Sequence, residues 1–365
     1  MNPKLLKNIE FPILIVIILI VALSILMISS ATHANSPEGT LHYVRMQFFW
    51  FCLGLIAMII TMSVDYHSIA HWSNIIYGLN LFFLILVLFL GRESLGAQRW
   101  IPIGPFGFQP SEFAKLAVII TLAKQMEKKK QLNHVKDVIP LFLHVGIPMF
   151  LIVKQPDLGT SLVLIAILLG VLFVAGINYK LLVGIIAAGI ASIPLVWQFL
   201  KDYQKKRLVV FLNPYVDPLG DGYHIIQSKI AIGSGKLFGK GLFQGTQNQL
   251  DFLPEQHTDF FFAVLGEELG FVGGITLFIL LFTLIYRTIH VAYKARDLLG
   301  TYIVIGIASM WTFQILVNIG MTIGMMPITG IPLPFMSYGG SSFIVNMMSV
   351  GMILNVGMRR QKIMF

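Results

Sequence analysis

The chain alternates long apolar stretches with short polar punctuation. Apolar runs fall at about 11–31, 46–63, 74–90, 112–125, 138–153, 158–177, 180–199, 259–286, 299–326 and 338–358. A helix needs about 20 apolar residues to cross a bilayer core of about 30 Å, so the pattern predicts about ten transmembrane helices. The first run follows Lys4 and Lys7 but is too long for the apolar segment of a signal peptide, and it is expected to stay as an anchor. One long connection, 200–258, separates the seventh and eighth predicted helices. Inside it, Ile225, Ile226, Ile230 and Ile232 are interspersed with Gln227, Ser228 and Lys229, which fits a short helix at the membrane surface. The glycines between Gly233 and Gly241 then end it. No fixed repeat, low-complexity tract or linker divides the chain, so 1–365 reads as a single all-α polytopic membrane domain.

Composition agrees with that pattern. Hydrophobic residues make up 56% of the chain and charged residues 12%, about half the charge of a soluble domain, which excludes a soluble two-domain enzyme. The formal net charge of +9 points to basic cytoplasmic loops and anionic lipid, and no nucleic-acid partner is expected. Cys52 is the sole cysteine, so neither an internal disulfide nor a cysteine metal site can form. Placing the N-terminus inside puts Lys124, Lys128, Lys129, Lys130, Lys136, Lys180, Arg287, Lys294, Arg296, Arg359, Arg360 and Lys362 on the cytoplasmic side with Lys4 and Lys7. The short outer loops then keep only Arg45, Arg92, Arg99 and Lys154. The asymmetry predicts a cytoplasmic (inner) membrane protein with both termini inside and 200–258 outside, where long loops escape the charge rule.

Several polar residues are not explained by membrane crossing. Glu112 and Lys115 stand at i, i+3 after Gln109-Pro110-Ser111; they read either as an ion pair joining helices or as the lining of a substrate cavity. Asp157, in Gln155-Pro156-Asp157-Leu158-Gly159-Thr160-Ser161, reads as an N-terminal helix cap or as a cavity residue. Glu267 and Glu268 lie inside an apolar run, where each needs a partner or a wet cavity. Thr258 and Asp259 open the eighth run. Either could cap that helix, and Asp259, partly desolvated beside Phe260–Phe262, could instead act as a base. His257 is either a positioning group or a wetted loop histidine. The prolines Pro327, Pro332 and Pro334 before Ser337-Tyr338-Gly339-Gly340-Ser341-Ser342 disfavour a continuous helix and predict irregular backbone lining a cavity. No Walker A loop, dinucleotide fingerprint, HExxH or GxSxG is present, so ATP-driven transport by this chain is not expected.

Read together, these segments resemble the SEDS family (shape, elongation, division and sporulation) of bacterial membrane glycosyltransferases. The resemblance is carried, in order, by Gly96-Ala97-Gln98-Arg99-Trp100-Ile101, by the Gln109–Lys115 and Gln155–Ser161 segments, by His257-Thr258-Asp259-Phe260 with Glu267-Glu268-Leu269-Gly270, and by the proline-rich block leading into Ser337–Ser342. Gly245-Thr246-Gln247-Asn248-Gln249 and Thr329–Pro334 resemble the elongation members more than the division members. The family resemblance implies polymerisation of lipid II into peptidoglycan on the outer membrane face, for elongation and cell shape. It also implies a class B penicillin-binding protein as transpeptidase partner, together with other elongation-machinery proteins and membrane lipid. It carries the catalytic acid onto Asp259, the Glu/Lys pair onto Glu112 and Lys115, and further cavity residues onto Arg99 and Asp157; His257 and Ser337 lie in the same blocks.

The reaction needs a base for the acceptor hydroxyl and cations for the departing pyrophosphate. Asp259 suits the first role, and Arg99, Lys115, Lys236 and Lys240 are candidates for the second. They would act directly or around Mg²⁺ or Mn²⁺, with Asp259 as a candidate ligand; no organic cofactor is expected. The competing reading is a flippase for a lipid-linked precursor, which would need charged groups through the membrane depth.

The orientation is testable in a Cys52→Ser background. Asn133→Cys and Gln361→Cys should react with an impermeant thiol reagent only from the cytoplasmic side, and Asp217→Cys only from outside. Labelling of Asp217→Cys from the cytoplasm would reverse the topology.

Overall fold

The computed structural model describes residues 8–33, 37–94, 97–104, 106–129, 132–250, 252–253 and 258–360. All ten predicted runs lie on helices. In chain order the helices are α1 (Phe11–Ala31), α2 (Pro37–Ser63), α3 (Tyr66–His71), α4 (Ser73–Leu90), α5 (Pro110–Glu127), α6 (Val135–Lys154), α7 (Leu158–Val174), α8 (Tyr179–Ala191) and α9 (Ile193–Phe199). They continue with α10 (Asp202–Leu212), α11 (Asp221–Ser234), α12 (Thr246–Gln249), α13 (Phe261–Tyr293), α14 (Leu298–Thr322) and α15 (Gly340–Met358). Among the described residues, 8 helical segments are long and apolar enough to cross a membrane. The runs that fall short are α5, which carries Glu112, Lys115, Lys124 and Glu127, and α7, 17 residues long.

Their burial explains why they can be shorter or more charged. α5 packs against α4, α6, α7, α14 and α15 and buries Glu112 and Lys115 together with its apolar residues. A helix enclosed by other helices meets protein rather than lipid and can hold charges that find partners there. α14 is the hub: it contacts α5, α7, α11, α13 and α15. α2 lies along α15, and Gly351 makes that approach possible, since a Cβ there would fall 2.5 Å from the Met58 carbonyl oxygen. α8 buries no residue.

The connection 200–258 is less of a loop than its length suggested. It holds α10, a 3-10 turn (Pro214–Val216), α11 and α12. The predicted amphipathic helix is α11, and it is docked onto the bundle: Ile225 and Ala231 are buried, and the Ser228 hydroxyl donates to the Thr322 carbonyl at 2.7 Å. A small antiparallel sheet, β1 (Arg92–Ser94), β2 (Ala97–Ile103) and β3 (Phe106–Phe108) in that order, was not evident from hydropathy. Its turn passes through Gly104, at φ +59°.

α13 is broken inside the bundle. Gly270 adopts φ +63° and ψ −159°, a region open only to glycine, and the backbone ladder opens around it. The segment Lys236–Gly241 fills the opening. The Glu267 and Glu268 carbonyls accept from the amides of Lys240 and Gly241, both at 3.0 Å, while the Phe271 and Val272 amides donate to the Lys236 and Leu237 carbonyls at 2.9 and 3.1 Å. A Cβ at Gly270 would sit 2.2 Å from the Gly239 nitrogen. Gly270→Ala should therefore cost at least the roughly 1–3 kcal/mol of backbone strain, seen as a lowered thermal midpoint in detergent. Gly78→Ala, in α4 where a Cβ meets nothing within 4 Å, should leave the midpoint unchanged or slightly raised.

Candidate active site

β2 delivers Arg99 to the start of α7. Its Nε donates to the Gln155 carbonyl at 3.3 Å, an Nη donates to the Pro156 carbonyl, and its other Nη lies 3.8 Å from Asp157 Oδ1. Asp157 is the N-cap of α7, accepting from the Thr160 amide at 3.1 Å and its hydroxyl at 2.9 Å. The Ser111 hydroxyl of α5 donates to it at 3.4 Å. Asp157 therefore does cap α7, and the same buried carboxylate also pairs with Arg99. One residue along α5 from Ser111, Glu112 takes both oxygens to Lys115 Nζ at 2.8 Å. At 3% and 2% exposure, that pair is closed off from bulk solvent.

The proline-rich block is extended and irregular from Pro327 to Leu333, as the prolines predicted. Ile331, Leu333 and Phe335 are buried. The block crosses α7 at Gly159, where a Cβ would lie 2.8 Å from the Thr329 carbonyl oxygen. It then meets Asp259: the Cβ position of Gly330 is 3.5 Å from Asp259 Oδ2, so glycine lets the backbone lie beside the carboxylate. Two side chains fix the approach. Asn318 of α14 donates to the carbonyls of Asp259 at 3.1 Å and Ile331 at 2.8 Å. Ser337 donates to the Thr258 carbonyl at 2.6 Å and accepts from the Leu333 amide at 2.9 Å.

Asp259 sits one residue before Phe260, the N-cap of α13, and no side-chain hydrogen bond caps that helix at Phe260. Thr329 Oγ1, Asn318 Oδ1 and Gln314 Oε1 are buried without hydrogen-bond partners among the described residues. Thr329 adjoins Gly330, Asn318 holds the Asp259 backbone, and Gln314 is one turn along α14. Buried polar atoms without partners are costly unless a ligand or water meets them.

The two remaining lysine candidates separate. Lys240 does not face a free anion: its Nζ binds Glu267 Oε1 at 2.7 Å and the Thr246 hydroxyl at 2.7 Å. Glu267 also accepts from the Gln247 and Asn248 amides at 3.0 and 3.3 Å. Glu268 is held by the Ser30 hydroxyl at 2.6 Å and the Asn248 amide side chain at 3.2 Å. Asn248 therefore serves both acids, one through its backbone and the other through its side chain, which sequence spacing did not suggest. Lys236 is exposed and contributes its carbonyl to the α13 break. His257 lies outside the described residues. Among the described residues no group of three or more His, Cys, Asp or Glu is placed to hold a metal ion. Asn318 was missed in the sequence; an amide within an apolar run was the available signal.

A family model described as cell cycle protein, covering FtsW, RodA and SpoVE, matches residues 10–362. The stage V sporulation protein E of Bacillus subtilis is 40% identical over 94% of this chain and 95% of its own length. The peptidoglycan glycosyltransferase MrdB of Escherichia coli K12 is 38% identical over 94% and 93%. Among solved structures, a chain of a peptidoglycan synthase complex that coordinates polymerization and crosslinking superposes with TM-score 0.82 at 33% identity, covering 96% of this chain and 97% of that one. The rod shape determining protein RodA of Thermus thermophilus gives TM-score 0.73 at 31% identity, covering 97% and 98%.

The buried Glu112–Lys115 pair makes a sharp stability prediction. Glu112→Gln should leave a buried ammonium uncompensated and cost about 3–5 kcal/mol. The charge-neutral pair Glu112→Gln with Lys115→Met should recover most of that loss in detergent thermal unfolding.

Proposed function

The chain belongs to the FtsW/RodA/SpoVE family of SEDS proteins, and we propose that it is a RodA-like peptidoglycan glycosyltransferase that polymerises lipid II with Asp259 as its base. The observation that carries the assignment is the placement of Asp259. Its backbone is held by Asn318 and the preceding carbonyl by Ser337, its carboxylate lies against Gly330, and unpartnered polar atoms stand nearby. In the reaction the acceptor 4-hydroxyl oxygen forms a bond to the donor's anomeric carbon as the bond to the polyprenyl pyrophosphate breaks. Asp259 takes the hydroxyl proton, and the electron pair leaves with the pyrophosphate. Arg99 is the favoured cation for the departing phosphates, because it is partly exposed while Lys115 is locked to Glu112. Lys240 is less suited to that role, since its ammonium is already held at 2.7 Å by the buried Glu267 carboxylate. A divalent cation such as Mg²⁺ or Mn²⁺ fits only as an ion held by Asp259 and the substrate phosphates, a coordination that Mg²⁺ accepts; when bound it would neutralise the leaving group.

An apolar groove of about 370 Å³ between α4, α5 and α15, lined by Leu79, Phe83, Phe113, Leu116 and Met348, begins at Phe108 and Pro110 beside the site. It suits the polyprenyl tail. A class B penicillin-binding protein is the proposed partner, supported by the likeness to the peptidoglycan synthase complex. The exposed stripe Phe271, Ile275, Phe278 and Phe282 on α13 offers a surface for its membrane helix. α14, by contrast, is largely buried. The charge asymmetry supports a bacterial cytoplasmic membrane location with both termini inside.

Asp259→Asn keeps size and cannot accept the proton, so polymerisation should fall at least about 10²-fold with the thermal midpoint little changed. Normal glycan synthesis by folded Asp259→Asn protein would remove the assignment of Asp259 as the base.

A further inference from the structure

A second cavity, of about 310 Å³, opens between α4, α5 and α6 at the other end of the bundle. Lys128 follows Ser111 by 17 residues along and just past α5, about 25 Å at a rise of 1.5 Å per residue, nearly the thickness of the hydrocarbon core. The two sites therefore face opposite leaflets. Trp72, beside the cavity residues His71 and Ser73, is 56% exposed, as expected of an aromatic anchor at headgroup depth. Every lining side chain carries a polar atom, which is unusual for a hole between membrane helices.

The cavity has a fixed floor and an open rim. On the floor, the Tyr77 hydroxyl donates to the His144 carbonyl at 2.6 Å, and the Thr121 hydroxyl lies 2.8 Å from His144 Nε2, so these groups satisfy one another. On the rim, Lys124 meets Glu127 at 2.8 Å. The side chains of Asn74, Gln125 and Lys128 make no hydrogen bond or ion pair among the described residues. Two ammonium groups against one carboxylate, with amide and hydroxyl donors between them, select an anion with several acceptor oxygens. Exposed Ile75, Ile139 and Leu143 on the adjoining faces of α4 and α6 provide an apolar wall for acyl chains. Basic pockets between membrane helices recognise anionic headgroups in this way.

We propose that this cavity binds the phosphodiester of an anionic phospholipid with a hydroxylated headgroup, such as phosphatidylglycerol, drawn from the leaflet opposite Asp259. Ser73, Asn74 and Gln125 would meet the glycerol hydroxyls and phosphate oxygens, and the lysines the charge. An ethanolamine headgroup would bring its ammonium against Lys124 and Lys128. The site stands apart from the polymerase reading and does not depend on it.

The test is native mass spectrometry and thermal unfolding of delipidated full-length protein titrated with phosphatidylglycerol, phosphatidylethanolamine or inorganic phosphate. Phosphatidylglycerol should bind and stabilise selectively, Lys128→Gln should weaken it, and Lys124→Gln with Lys128→Gln should weaken it about tenfold or more, equivalent to about 1.4 kcal/mol. Lys128 is exposed, so the single variant keeps the test valid should the double variant fold poorly. Equal binding of the two phospholipids, equal stabilisation by inorganic phosphate, or unchanged phosphatidylglycerol binding by Lys128→Gln would each overturn the proposal.

Discussion

A helix that breaks inside a membrane frees backbone amides and carbonyls that lipid cannot satisfy. At Gly270 this protein meets that constraint with its own chain: Lys236–Gly241 folds into the gap and exchanges four backbone hydrogen bonds with α13. The rest follows from where that segment must lie. Lys240 arrives beside Glu267, α12 presents amides to the same carboxylate, and Ser30 of α1 closes on Glu268. An acid pair that would cost several kcal/mol unpaired becomes the bolt between α1, the segment 236–249 and α13. The first half of α13, which begins just after Asp259, is thereby fixed.

Asp259 depends on a second set of backbone contacts. Irregular backbone from Pro327 to Leu333 survives inside the bundle because side chains such as Asn318 and Ser337 take its carbonyl and amide groups, and the same two residues hold the Thr258 and Asp259 carbonyls. A carboxylate restrained at its backbone, with glycine rather than a side chain against it, can be approached by a sugar hydroxyl without the loop having to order first. Arg99, Asp157 and Ser111 knit β2, α7 and α5 into the neighbouring wall.

Much of this was legible in the sequence, for a physical reason: charge inside an apolar run must be explained. That logic singled out Glu112, Lys115, Asp157, Glu267, Glu268 and Asp259, and the prolines announced the extended block. Hydropathy could not show that Lys240, 27 positions from Glu267, is its partner, since long-range pairing leaves no local period. Nor could it show the break at Gly270, because glycine in an apolar helix is unremarkable until its φ is known. The short strands around Arg99 escaped for a similar reason: two of the three are three residues long and the third, Ala97–Ile103, is interrupted by Pro102, so they carry too little alternation to register. α5 and α7, too charged or too short by span criteria, prove central because burial in protein relaxes the demands that lipid makes.

The central claim is that the purified chain itself forms glycosidic bonds. Reconstituted alone into liposomes with labelled lipid II facing the Asp259 side, it should yield glycan polymer on a denaturing gel together with released undecaprenyl pyrophosphate. Transfer of intact lipid II across the bilayer with no polymer and no pyrophosphate released would contradict it.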